Sequence, residues 1–194
     1  VIAEEEKICN YIDIPLQHCS DRVLKSMGRR STAKSIADAI TALRKRIPGV
    51  VIRTTLITGL PGETEKEFEE LVSFVKEMRF ERLGTFAYSR EEGTAAAEMP
   101  GQIDEAIKKR RQEQIMRRQN EIAFELNKEL IGKKLEVLVE GRDLDGRYFG
   151  RTRMDAPEID NSVLFTSFEE LKAGDLVYVM IEKAYDYDIE GRKE

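Results

Sequence analysis

One stretch constrains the fold more than any other: Val50-Val51-Ile52-Arg53-Thr54-Thr55-Leu56-Ile57, a nearly continuous β-branched run. Such a run suits a strand buried on both faces, as in parallel sheets; a one-sided strand would alternate apolar with polar. The turn Gly59-Leu60-Pro61-Gly62 follows it. Thr64 and Glu67 then form a capping-box pattern, opening a helix with Phe68, Leu71, Val72, Val75 and Met78 on one face. A further strand is predicted over Leu83 to Ser89. Upstream, Ile8 to Leu16 reads as a short strand bounded by Pro15, and Ser20 as the cap of a short helix, Asp21 to Met27. Thr32 caps another helix, whose stripe of Ile36, Ala39, Ile40, Leu43 and Ile47 is stopped by Pro48-Gly49. Strands alternating with helices imply right-handed βαβ units and a parallel sheet. About three strands cannot close a barrel, so the sheet reads as part of a larger one.

From Gln102 to Leu130 the pattern is one long charged helix with Ile103, Ile107, Ile115, Ile122, Leu126 and Leu130 as its apolar stripe. Its basic run, Lys108-Lys109-Arg110-Arg111 with Arg117-Arg118, is interleaved with Glu105, Glu113 and Glu121, which favours a solvated face over a nucleic-acid site. After Gly132 the period drops to 2. Strands are expected at Leu135 to Val139, Tyr148 to Arg153, Ser162 to Phe165 and Leu176 to Ile181, with Gly141, Asp145-Gly146, Asp160-Asn161 and Gly174-Asp175 in the turns. Four or five short strands in about 60 residues suggest a small OB-like barrel. The expected organisation is therefore a partial parallel (β/α) barrel with a long terminal helix over residues 1–131, then a small all-β barrel over 132–194.

Composition limits the function classes. Hydrophobic residues make 41% and charged residues 36% of the chain, a globular balance. No apolar run approaches the roughly 20 residues that span a bilayer, and the acidic start Val1-Ile2-Ala3-Glu4-Glu5-Glu6 does not read as a signal peptide. The missing initiator Met suggests that upstream sequence has been removed. Two cysteines ten residues apart, Cys9 and Cys19, read as reduced, ordinary buried residues in a cytoplasmic protein, and a single His18 builds no His-rich metal site. No catalytic residue and no metal ligand set is expected within these residues.

Ligands of parallel α/β folds sit at the carboxyl ends of strands. Three such ends are rich in polar groups here: Pro15-Leu16-Gln17-His18-Cys19, Thr54 to Thr64, and Phe86-Ala87-Tyr88-Ser89. Physics alone leaves the middle one open between a ligand turn and a plain βα turn.

Ile14-Pro15-Leu16-Gln17, Leu24 to Arg30, Gly59 to Thr64, and Tyr88-Ser89 with Gly93-Thr94 resemble, in this order, the later half of the barrel in radical-S-adenosylmethionine methylthiotransferases. The all-β tail is similar to the TRAM domain that follows that barrel. The resemblance implies S-adenosylmethionine as cofactor, with Gln17 and Arg29 at its methionine part, where an Arg fork suits a carboxylate. Thr55 stands where many relatives place an Asp on the ribose, and Ile57 with the Tyr88-Ser89 backbone would flank the adenine. It also implies two four-iron four-sulfur clusters in the whole enzyme. Such clusters need thiolates, and the CxxxCxxC motif is absent here, so the chain is expected to be a fragment unable to cleave the cofactor by itself. In the family, the reduced cluster cleaves the cofactor to a 5′-deoxyadenosyl radical, which removes a hydrogen from the carbon that then receives a methylthio group.

Two branches of the family compete, one acting on a tRNA adenosine and one on an aspartate of a small-subunit ribosomal protein. Gln17-His18 and the loop Asp155-Ala156-Pro157-Glu158-Ile159-Asp160 resemble the second. Charge agrees: residues 1–131 carry 22 Lys/Arg and 22 Asp/Glu, whereas residues 132–194 carry 10 against 15, so the net −5 lies entirely in the tail. RNA needs cationic neutralisation, and an acidic domain instead attracts a basic partner. Asp155, Glu158 and Asp160 are thus the expected docking residues for a basic ribosomal protein. The electron donor is not legible. The remaining alternative is a non-catalytic, nucleic-acid-binding OB-like module, for which stacking aromatics beyond Tyr148 and Phe149 are scarce.

Overall fold

The computed structural model describes residues 1–194 and divides into two compact units, residues 12–119 and residues 1–11 with 120–194. The first unit contains a three-stranded sheet in the order β1 (Tyr11–Asp13), β2 (Val51–Thr58), β3 (Arg82–Ala87). β2 and β3 run parallel, with Thr55 opposite Gly84 and Ile57 opposite Phe86. Between the strands lie α1 (Asp21–Ser26), α2 (Ala33–Arg46) and α3 (Glu65–Met78). Thr64 makes the expected capping box with Glu67, and Thr32 caps α2 as expected, with Ser35 completing a second box that the sequence pattern does not announce. Ser20 does not cap α1 through its side chain; its hydroxyl bonds the Glu67 carboxylate at 3.2 Å instead.

The first strand is shorter than its sequence suggests. Pro15 lacks an N–H and interrupts the ladder. The buried Thr54 hydroxyl repairs the gap, donating to the Ile14 carbonyl at 2.9 Å and accepting from the Leu16 N–H at 3.3 Å. Pairing resumes at Gln17, which bridges Leu56 in parallel with a left-handed φ of 71°.

Along β2 the two faces differ. Ile52, Thr54, Leu56 and Thr58 are fully buried, while Arg53, Thr55 and Ile57 are half-exposed, and Phe86 beside Ile57 is 61% exposed. A parallel sheet ordinarily has both faces covered. This one is open on the face of Thr55, Ile57 and Phe86.

After β3 come a single turn, α4 (Ala95–Glu98), which the sequence pattern does not announce, and the long α5 (Glu105–Lys128). The second unit is a closed five-stranded barrel in the order β4-β5-β6-β8-β7, made of β4 (Lys134–Arg142), β5 (Tyr148–Thr152), β6 (Val163–Thr166), β7 (Leu176–Ala184) and β8 (Ile189–Lys193). Period-2 alternation puts Val137, Val139, Tyr148, Val163, Phe165, Val177, Val179, Ile181 and Ile189 inside. Tight closure demands glycine where strands bend against one another. A Cβ on Gly150 would lie 2.1 Å from the Leu138 carbonyl oxygen. Gly150→Ala is therefore expected to lower barrel stability by at least about 1–3 kcal/mol, read as a reduced denaturation midpoint in urea.

Candidate functional site

The carboxyl ends of the first two strands meet at one buried carboxylate. Glu63 is fully buried at its side chain, just past the turn that ends β2. Its Oε2 accepts the Gly59 N–H at 2.7 Å, and its Oε1 and carbonyl accept from Arg111 of α5 at 2.8 and 3.2 Å. Arg111 also holds Glu65 at 2.9 Å. His18, at the end of the first strand segment, lies with Nε2 3.7 Å from Glu63 Oε2. Its Nδ1 accepts the Ser20 N–H at 2.9 Å, so the neutral ring carries its proton on Nε2, facing Glu63. Burial pushes the imidazole down to about 4, and burial likewise raises the Glu63 carboxyl against the pull of Gly59 and Arg111.

Lys108, one helical turn before Arg111, is also buried. Its stem runs against Gly59, where a Cβ would meet Lys108 Cγ at 2.4 Å, and Gly59 has a φ of +78°. Its ammonium sits 5.0 Å above the Tyr88 ring and bonds Glu105 at 2.5 Å. The expectation of a wholly solvated basic face on this helix is therefore corrected: Lys108 and Arg111 are 2% and 4% exposed. The signal was available. Counting back four and seven residues from buried Ile115 lands on Arg111 and Lys108, whereas Ile107 falls off the stripe and is exposed. On the other side, Arg22 grips Glu67 with Nε and Nη2 and bonds the Gly62 carbonyl at 2.6 Å. Although burial works to raise it, the Glu67 carboxyl is held at about 2 by Arg22 and Thr64.

The six residues expected at a cofactor lie in one connected region. The Gln17 N–H donates to the Thr55 carbonyl and the Gln17 carbonyl accepts from the Ile57 N–H, each at 2.8 Å. Arg29 donates from Nη2 to the Pro15 carbonyl at 2.8 Å. The Tyr88 N–H donates to the Thr58 carbonyl at 2.9 Å, and Ser89 follows, exposed. Among the buried polar atoms without a hydrogen-bond partner are Gln17 Oε1, His18 Nε2 and the Tyr88 hydroxyl at these strand ends, and Thr58 Oγ1 on the covered face of β2. Unpartnered buried groups are costly, and a polar ligand relieves that cost. The open strip of Thr55, Ile57 and Phe86 adds an apolar wall. These features suit an adenosine-type ligand with a polar tail.

A cluster does not fit these residues. Cys9 is exposed, contrary to the expectation that it is buried, and Cys19 is buried with its thiol pushed up to about 12 by that burial. A ligating sulfur needs the opposite shift. No group of three or more His, Cys, Asp or Glu is placed to hold a metal.

In the second unit, Asp155 bonds within its own loop, and Asp160 bonds both within it and to Tyr11. Asp155 accepts from the Thr152 hydroxyl at 2.7 Å, and Asp160 from the Tyr11 hydroxyl at 2.6 Å and the Ala156 N–H at 2.9 Å. Glu158, with φ 65°, is exposed.

Comparison with known proteins agrees with this architecture. The radical SAM superfamily matches residues 2–75 and the TRAM domain residues 131–193. The chain thus carries part of a radical SAM fold together with a TRAM barrel. It is 50% identical over 193 residues to the ribosomal protein uS12 methylthiotransferase RimO of Pelotomaculum thermopropionicum, an alignment covering 98% of this chain and 44% of that protein. The proteins of the same name from Thermoanaerobacter sp. and Lachnoclostridium phytofermentans are 53% and 49% identical, covering 98% and 100% of this chain and 43% and 44% of theirs. Along nearly its whole length the chain is similar to these methylthiotransferases, and it spans less than half the length of these relatives.

The buried imidazole gives a pH test. Between pH 6.5 and 4 the unfolded chain takes up a proton on His18 that the folded chain refuses, so stability falls as pH drops through that window. Glu63, raised in the fold, works in the opposite sense above its ordinary value. Urea unfolding of the chain is expected to lose up to about 3 kcal/mol from His18 across this range, and His18→Gln should flatten the fall.

Proposed function

We propose that the chain forms the cofactor-rim and partner-docking portion of a methylthiotransferase that modifies an aspartate of a small-subunit ribosomal protein, using S-adenosylmethionine. The observation that carries the reading is the open strip of Thr55, Ile57 and Phe86, with the unpartnered Gln17 Oε1 and Tyr88 hydroxyl at the neighbouring strand ends. Gln17 Oε1 accepts a hydrogen bond from the cofactor's methionine part. The guanidinium of Arg29, oriented by its bond to Pro15, keeps further N–H groups for the carboxylate. Thr55 offers a hydroxyl to the ribose, and Ile57 with the Tyr88-Ser89 backbone borders the adenine. The Glu63–Arg111 pair and the Lys108 stem fix the Gly59 turn, so the wall is formed before the ligand arrives. When bound with a reduced iron–sulfur cluster, the cofactor supplies hydrogen abstraction; the whole enzyme carries two such clusters, ligated by residues that these 194 do not include.

The acidic barrel is the docking domain, working in the cytoplasm on a basic protein. Its five-charge acidic excess supports a protein partner over tRNA. No helix is long and apolar enough to cross a membrane.

Two titrations test this. S-adenosylmethionine should bind the chain and lose about tenfold or more in affinity in Gln17→Ala with Arg29→Ala. Protein uS12 should bind more tightly than tRNA, with affinity weakening as salt rises. Equal or tighter tRNA binding would overturn the partner in favour of the tRNA branch or of a nucleic-acid-binding module.

A further inference from the structure

Three large apolar side chains protrude at one end of the barrel, where β4, β6 and β8 finish and β5 and β7 begin. Leu144 is 107% exposed, Phe168 112% and Leu176 64%. A single exposed apolar residue means little. These three share an end, and Leu176 also lies opposite Leu138 in the β4–β7 register, on the strand that runs into the Leu144 turn.

The loops that carry the two tips are firmly built. In the first, Asp143 N–H donates to the Arg147 carbonyl at 2.7 Å, and its carboxylate accepts the Arg147 N–H at 2.8 Å and the Arg147 Nε at 3.0 Å. In the second, the Ser167 hydroxyl accepts the Glu169 N–H at 3.0 Å and Glu169 pairs with Lys193 at 2.9 Å. Farther along it, the Tyr148 hydroxyl accepts the Leu171 N–H at 3.1 Å. Asp175 closes that loop by accepting from Lys172 N–H at 2.8 Å, and its carbonyl accepts from Val139 N–H at 2.8 Å. Leu171 packs onto the barrel core, while Phe168, three residues earlier, points away from it. A loop held this way presents its apolar tip without further ordering on binding.

Charge selects the occupant. Residues 143–147 and 167–175 carry five acids, Asp143, Asp145, Glu169, Glu170 and Asp175, against Arg147 and Lys172, with Lys193 paired to Glu169 and Arg142 bonded to the Gly146 carbonyl beside them, so the acidic excess is small. Apolar tips ringed by a small excess of negative charge fit a basic protein surface that offers apolar recesses. RNA phosphates would be repelled. At the opposite end, Asp155 is tied to Thr152 and Asp160 to Ala156 and to the Tyr11 hydroxyl. We infer that the barrel docks its basic protein partner through the end bearing Leu144, Phe168 and Leu176. This rests on the partner reading above and assigns the contact surface within it.

The test uses the full chain and the variant Leu144→Ser with Phe168→Ser, whose circular dichroism and thermal midpoint should match the parent because both side chains are in water. Isothermal titration with protein uS12 is expected to show about a tenfold or greater loss of affinity in the double variant and less than about a twofold change in Glu158→Gln. Unchanged affinity in the double variant, or a loss confined to Glu158→Gln, overturns the surface while leaving the partner standing. A parent chain without affinity for uS12 overturns the partner reading and this surface with it. Parent self-association abolished in the double variant would make a second copy the occupant, and would overturn the inference too.

Discussion

A carboxylate taken out of water must be matched by charge and hydrogen bonds, or the fold that buries it loses several kcal/mol. Glu63 is such a group: it is matched by the Gly59 N–H from the turn after β2 and the Arg111 guanidinium from α5, and the neutral His18 ring from the first strand end stands beside it, with Nε2 3.7 Å away. Satisfying one side chain therefore fixes one strand end against a helix, with a second strand end beside them. Lacking a Cβ, Gly59 can both take its left-handed form and admit the Lys108 stem. Tyr88, beneath the Lys108 ammonium, brings the third strand end into the same arrangement.

That rigidity has a purpose in a sheet left open on one face. Core burial stabilises the side of β2 that carries Ile52 and Leu56, whereas the side of Thr55 and Ile57 has no cover of its own in this chain. Such a wall must hold its shape without being packed, and the ionic lock at the rim does that. The barrel meets its own constraint differently. Closure removes sheet edges and buries a nine-residue apolar core, so the loops are released from packing and can display Leu144 and Phe168.

Much of the fold was legible because it rests on local rules. Strand β2, the Thr64 capping box, the Thr32 cap and the switch to period 2 after Gly132 each follow from short-range preferences that tertiary structure respected, although β2 is covered on one face and not, as its β-branched run suggests, on both. Pro15 was read as a boundary, yet the chain continues to pair beyond it because Thr54, forty residues away, supplies the missing bonds. Local pattern cannot report such a partner. The charged face of α5 differs: its spacing from Ile115 already places Arg111 and Lys108 on the inner side, but only the fold supplies Glu63 as the partner that lets Arg111 be buried.

By itself, the sequence determined the alternation of strands and helices, the place where one architecture yields to another, the acidic bias of the second, and the motifs that mark the family. These are properties of spacing and composition. Tertiary structure decided which charges are structural and which are free to meet a partner. It turned Asp155 and Asp160 into structural ties, drew Lys108 and Arg111 into the interior, and left Gln17 and Tyr88 with unanswered polar atoms at neighbouring strand ends. The physical reason is that the cost of burying a polar group depends on what lies opposite it in space, and that neighbour is set by the fold.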